Sequence, residues 1–285
     1  MADVALPSFQ TLRVELDGAL GRLTLDQPDR LNPIGALALR ELADAAAWFD
    51  ASDASVVVVT GAGRAFCAGF DLRELRAKPT SDDLADHPGA STPALGAAMA
   101  DAVSSMRALT VAAIGGPCVG GGFVLALCCD LRIAADDAWF SLPEAELGIP
   151  LAWSGVPRLV RELGPARANE LILTCRRMPA IEAHAAGLIN EVVPRPELEA
   201  TVAARVAAIL ERPGPVITTT KPITVSSQRR PNRPASVSKT PVSISTLSAP
   251  ARFQSSSGPF DHVCSKPACD IGSRPPPGPT TLLRA

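Results

Sequence analysis

The chain has no run of ~18 or more apolar residues, so no segment reads as a membrane-spanning helix. Its opening residues, MADVALPSFQ, lack a basic stretch followed by an apolar core, so no secretory signal is expected. There is no Cys-x-x-Cys pair and no histidine-rich spacing, and Cys264 and Cys269 have no suitable partners nearby; no metal site is expected. The seven cysteines are odd in number and do not read as a disulfide framework. Cys118, Cys128 and Cys129 lie in apolar runs, where they are expected to pack as small hydrophobes. Together these absences point to a reducing, cytoplasmic setting.

A dominant charge is missing too. The formal net charge is −2, but it is unevenly spread. Residues 1–221 carry 19 Lys/Arg against 27 Asp/Glu, and residues 222–285 carry eight against two. The acidic part argues against nucleic acid as a partner, and the basic charges of the tail are scattered rather than clustered.

The chain is 285 residues long, with 47% hydrophobic and 20% charged residues, which suits a soluble protein with one sizeable core. Residues 9–16 and 20–25 alternate as two strands joined at Asp17-Gly18. Leu39, Leu42, Ala46 and Phe49 recur at helical spacing after Pro33. Four valines, Val56 to Val59, read as a buried strand. A polar segment broken by prolines, 78–93, reads as a surface loop, followed by a helix over 94–109 and a strand over 111–114. Strands at 131–134 and 138–140 follow, then helices at 154–163, 165–175 and 180–186, and a strand at Val192-Val193. A last helix carries Leu198, Val202, Val206, Ile209 and Leu210 and is stopped by Pro213-Gly214-Pro215. Strands alternating with helices define an α/β fold.

After Lys221 the character changes. Of the last 64 residues, 11 are proline and 12 serine, with no apolar helical face. Such a composition buries too little surface to offset the entropy of ordering, so a disordered tail is expected.

Two glycine-rich turns carry the chemistry. Residues 61–72, GAGRAFCAGFDL, follow the valine strand. Residues 114–148 contain Gly120-Gly121-Gly122, which opens a wholly apolar stretch ending at Cys129. That stretch reads as a buried helix, whose first N–H groups would face an anion or a developing negative charge. The competing reading is that both turns merely pack the fold tightly. Pro143-Glu144 follows an aromatic strand end and offers a carboxylate as acid or base.

GRAFCAGFDL, GGPCVGGGFVLALCCDLRIA and LPEAELG, in that order, resemble the signature blocks of the crotonase (enoyl-CoA hydratase/isomerase) superfamily, and the segment Gln27-Pro-Asp-Arg-Leu-Asn32 is similar to an early block of the same family. The resemblance runs from about Thr11 to about Lys221. It implies a spiral of repeated β-β-α units that assembles as trimers or pairs of trimers. It implies an acyl-CoA thioester as substrate, with coenzyme A part of the substrate and no separate cofactor. By motif position, the backbone N–H groups of Phe70 and Gly121 form an oxyanion hole and Glu144 is the acid/base. Ala68, Asp71, Leu72, Gly120, Val124 and Arg30 would line the substrate, with Ala68 meeting the adenine and Arg30 the phosphates.

One position departs from the family's hydratases. They carry a second glutamate where this chain has Val124, and valine cannot activate water. The resemblance therefore favours Δ3-Δ2-enoyl-CoA isomerisation. An enoyl-CoA hydratase of β-oxidation and a non-catalytic acyl-CoA-binding protein remain the alternatives. The family places helices after residue 221, so the tail is either a disordered extension or an altered C-terminus.

Overall fold

The structure, a computed structural model, describes residues 6–71, 73–74 and 92–227, the last six by backbone alone. These belong to a compact unit, Met1–Pro231; a second unit, Asn232–Ala285, lies outside the described residues. The expected tail, apart from its first six residues, therefore lies outside them, as does most of the expected loop at 78–93 and, at the first turn, Leu72.

Six strands form the main sheet: β1 (Leu12–Asp17), β2 (Leu20–Leu25), β3 (Val56–Gly61), β4 (Leu109–Ile114), β6 (Leu131–Ala135) and β9 (Glu191–Val193), in that spatial order. The first two pair antiparallel across the Asp17-Gly18 turn, and every later pairing is parallel. A second sheet pairs β5 (Pro117–Val119), β7 (Trp139–Ser141) and β8 (Met178–Pro179). Seven α-helices are described: α1 (Ala36–Ala51), α2 (Thr92–Ser105), α3 (Gly121–Cys128), α4 (Gly155–Thr174), α5 (Ala180–Ala185), α6 (Leu198–Leu210) and α7 (Gly214–Ser227).

The valine run shows how the sheet is sandwiched. Side chains alternate across a strand, so Val57 and Val59 join the large core with Leu39, Leu42 and Phe49 of α1 and Met99 of α2. Val56 and Val58 point the other way, to Val202 and Val206 of α6. Burial on both faces explains why the run is apolar throughout rather than alternating.

The helix α3 is buried along its whole length, all eight residues included. It therefore has no solvated face, and its ends carry the polar chemistry. Some expected boundaries shift. The helix α2 begins at Thr92, inside the expected loop, and stops at Ser105, freeing Leu109 to open β4. Gly164, with a φ of 76°, interrupts α4, so this span is two helices meeting at a kink, as expected for 154–163 and 165–175. Lastly, Pro213-Gly214-Pro215 ends α6 but also starts α7, because proline fits a helix's first turn, where its missing N–H has no partner to lose. The helix then continues through Ser227, past the expected boundary at residue 222. Among the described residues no helix is long and apolar enough to cross a membrane.

Candidate active site

The site forms where the two glycine turns meet. The first is held from three sides. Asn32 donates from Nδ2 to the carbonyls of Ala62 and Ala65, both at 2.9 Å, and accepts the N–H of Gln27 at 3.0 Å. The N–H of Ala68 donates to the Leu31 carbonyl. Ile34 then takes two bonds from the strand-like end of the turn: its N–H donates to Gly69, and its carbonyl accepts the N–H of Asp71.

Those last bonds aim a donor. In a trans peptide the carbonyl and the N–H point to opposite sides. The Gly69 carbonyl faces Ile34, so the N–H of Phe70, in the same peptide, faces away from it. In the second turn, the Gly120 carbonyl accepts the N–H of Val124 and so points along α3. The N–H of Gly121 therefore points out of the helix's N-terminus. Among the described residues neither N–H finds an acceptor.

Each donor follows a glycine that needs its freedom. Gly69 has φ 96° and Gly120 has φ 51°, conformations that side chains disfavour. A Cβ on Gly69 would stand 3.0 Å from the Val119 carbonyl, and one on Gly120 would stand 2.8 Å from Oε1 of Glu144. The two turns, and the carboxylate, thus meet at glycine contacts that no other residue allows.

Glu144 reaches this point from β7. The carbonyl of Ser141, at the end of that strand, accepts the N–H of Gly120 and ties strand to turn. Just beyond, the carbonyl of Glu144 accepts the N–H groups of Leu147 and Ile149, which fixes the turn carrying it. Its Oε1 lies against Gly120. Its Oε2 is buried and has no hydrogen-bond partner among the described residues. Burial pushes the carboxyl's pKa above its ordinary value, opposed by its own backbone N–H, with no charged neighbour contributing among the described residues. A lone, desolvated carboxylate is suited to take up a proton.

The remaining wall is apolar. Val124 is 1% exposed, and its Cγ2 stands 2.9 Å from where a Cβ of Gly155 would be. Leu151 crowds the same glycine. Beneath both turns, Cys67 accepts the N–H of Gly69 on Sγ at 3.3 Å and packs on Gly122. Burial pushes its thiol up to about 12, so it stays protonated and acts as packing rather than as a nucleophile.

Of the other expected lining residues, Arg30 forms an ion pair with Asp71. Burial raises the pKa of Asp71, but the Arg30 guanidinium and the N–H of Arg73 outweigh it and hold the carboxyl below its ordinary value. The pair borders a cavity of about 300 Å³ with Gln27, Gly35 and Glu74. Thus Arg30 is exposed but held by its pairing with Asp71. Glu146 is exposed, as expected of a surface residue. No cluster of three or more potential metal-ligating side chains occurs among the described residues.

Sequence reading missed Trp153. Its indole, 8% exposed, lies against Gly121 and meets the Phe70 ring edge-on at 6.2 Å. Its only signal in the sequence is a bulky residue set between Gly148 and Gly155 in a site otherwise lined by small groups.

Two N–H groups without an acceptor among the described residues, on turns that meet beside a desolvated carboxylate, make an arrangement that can hold a carbonyl oxygen and move a proton. Residues 15–243 match the family model described as "Enoyl-CoA hydratase/isomerase", and the chain belongs to this family of enzymes, the crotonase superfamily. The match continues beyond residue 221, further than the motif resemblance reaches. A probable enoyl-CoA hydratase of Mycobacterium bovis is 37% identical over 192 residues, covering 67% of this chain and 72% of the relative. The peroxisomal Δ(3,5)-Δ(2,4)-dienoyl-CoA isomerase of Arabidopsis thaliana is 33% identical over 199 residues, 66% of this chain and 72% of that one. Among solved structures, one from Thermobifida fusca in complex with acetoacetyl-CoA superposes with a TM-score of 0.68 at 31% identity, covering 78% of this chain and 88% of the other.

Proposed function

We propose that the chain is a one-base Δ3-Δ2-enoyl-CoA isomerase. The observation that carries this reading is the buried Oε2 of Glu144, without a hydrogen-bond partner among the described residues, on a carboxylate that lies against Gly120 where the two turns meet. The N–H groups of Phe70 and Gly121 hold the thioester oxygen. Glu144 takes a proton from the carbon next to the thioester, and the electrons of that C–H bond move onto the oxygen as an enolate. The held N–H groups stabilise this charge, and loss of one such donor typically costs about 10²–10³ in rate. Glu144 then returns the proton two carbons further along, and the double bond moves into conjugation with the thioester. Each step uses the same carboxylate, and no cofactor beyond the substrate's own coenzyme A is needed.

Hydration places a harder demand. It needs a second group to orient and activate water, and Val124 is buried, apolar and without a proton to give. The CoA portion is assigned to the first turn, along Ala68, Asp71, Leu72 and Arg30. The family membership supports that assignment, and so does the acetoacetyl-CoA bound in the Thermobifida fusca structure. Arg30 would meet phosphate as a held ion pair with Asp71. Assembly as a trimer or hexamer belongs to the same proposal, and exposed Leu147, Ile149 and Val156 near the site offer apolar surface for it.

The test is turnover of a 3-enoyl-CoA and, separately, a 2-enoyl-CoA by the full chain and by Glu144→Gln. Isomerisation that disappears in the variant supports the proposal. Efficient Glu144-dependent hydration of the 2-enoyl ester would overturn it in favour of the hydratase.

A further inference from the structure

Trp153 is held in place by two helices that leave room for it. Its pyrrole edge lies on Gly96 of α2, where a Cβ would stand 2.0 Å from Cδ1 and from Nε1. Its benzo edge lies on Gly121, where a Cβ would stand 2.2 Å from Cζ3. Two glycines, distant in sequence, are thus matched to the two edges of one indole. The backbone there is unusual as well. Trp153 has φ 55° and Ser154 has φ 57°, a left-handed pair in residues that rarely adopt it. Strained backbone of this kind persists only where its surroundings fix it, and it gathers at functional sites.

The placement bears on the substrate. The benzo edge touches Gly121, the residue whose N–H faces the thioester oxygen. Phe70, which carries the other N–H, meets the same indole edge-on at 6.2 Å. Val124 and Leu151 crowd Gly155 two residues further on. An acyl group extending from a thioester oxygen held at these two residues would therefore meet the Trp153 ring. A small residue at this position would leave a channel between α2 and α3, floored by the two glycines.

We propose that Trp153 closes the acyl pocket and restricts the enzyme to short acyl groups of about four carbons. The inference rests on the acyl-CoA reading above and deepens it. Trp153 is a specificity-determining residue: it sets how far the acyl chain reaches and takes no part in moving the proton. Each methylene that reaches an apolar channel raises affinity about fourfold. Opening the channel should therefore reward long chains strongly.

The experiment is calorimetric binding of butyryl-CoA and decanoyl-CoA, saturated esters that cannot react, to the full-length wild type, Trp153→Ala and Trp153→Phe. The wild type is expected to bind the butyryl ester about tenfold or more tightly than the decanoyl ester. In Trp153→Ala that preference is expected to reverse, and in Trp153→Phe it should shrink. A wild type that binds the decanoyl ester as tightly as the butyryl ester would overturn the proposal. So would a folded Trp153→Ala with an unchanged preference; should that variant not fold, an unchanged preference in Trp153→Phe decides the matter in the same way. Binding is read apart from turnover. A short-chain preference without isomerisation would count against the chemistry of Glu144 alone, and isomerisation with a flat preference would count against Trp153 alone.

Discussion

Two carboxylates sit at the two ends of the buried helix α3, and they are treated in opposite ways. Past its C-terminus, Oδ2 of Asp130 accepts the N–H of Thr110 at 2.8 Å and its hydroxyl at 2.7 Å, and it pairs with Nζ of Lys221 at 2.9 Å. Lys221 is 4% exposed and also donates to the Ala108 carbonyl. Before the N-terminus, Glu144 is desolvated, and among the described residues its Oε2 has no hydrogen-bond partner and no charge offsets the burial. Buried polar atoms are normally satisfied. Asp130 obeys that rule and pins α7 and β4 to the end of α3. Glu144 breaks it, at a cost in stability, where a proton acceptor is wanted. One helix thus has a fully partnered carboxylate at one end and, at the other, a carboxylate left without a partner among the described residues, to which the proposal assigns the chemistry.

The comparison can be broken at either end. The largest effect is expected from Glu144→Gln, which should lower the isomerisation rate by about 10²–10⁴-fold in steady-state kinetics without lowering Tm. Lys221→Met should do the converse. It leaves Asp130 buried without its cation and should cost about 3 kcal/mol, lowering Tm by roughly 10 °C in calorimetry. The rate per folded molecule should hold at low temperature. Val124→Glu sharpens the contrast by adding a second carboxylate in the first turn of α3. Stability should fall by about 1–3 kcal/mol, and hydration of a 2-enoyl-CoA should rise about tenfold relative to isomerisation.

The smallest effect is one of pH. The folded pKa of Glu144 is raised, so stability from the protonated form is present at low pH and is lost as pH rises through that raised value. Glutamine mimics the protonated form. Glu144→Gln should therefore gain a few °C in Tm near about pH 8 and lose that advantage towards about pH 4. In the wild type, kcat/KM should rise with pH through the same raised pKa and then level off, because the base must be deprotonated. A profile flat through the acidic range would separate the activity from Glu144.

Much of the fold is visible in the residues themselves. Val56 to Val59 announce a strand covered on both faces, and the unbroken apolar stretch after Gly120 announces a helix with no solvated side. Local signals fail where one residue serves two elements. Pro213-Gly214-Pro215 reads as a stop, yet the same prolines suit the first turn of α7. The strands β5 and β8 are three and two residues long, and their existence depends on pairing with β7 rather than on any pattern of their own. The site divides the same way. The chemistry-bearing glycines and Glu144 lie in contiguous motifs. Trp153 does not, because its fit depends on Gly96 and Gly121, which come together only when α2 packs on α3. The pairing of Arg30 with Asp71 is likewise a product of folding, since the first turn must close before the two side chains meet.

The central claim is that Glu144, working alone, moves a proton and adds no water. The most direct measurement is the mass of the product formed from a 3-enoyl-CoA by the full-length enzyme in deuterated water. The account predicts a conjugated 2-enoyl ester of the substrate's own mass, because the proton that Glu144 takes is the one it returns and no water is gained, and no such product from Glu144→Gln. A product heavier by one water, formed at the same Glu144-dependent rate, would contradict it.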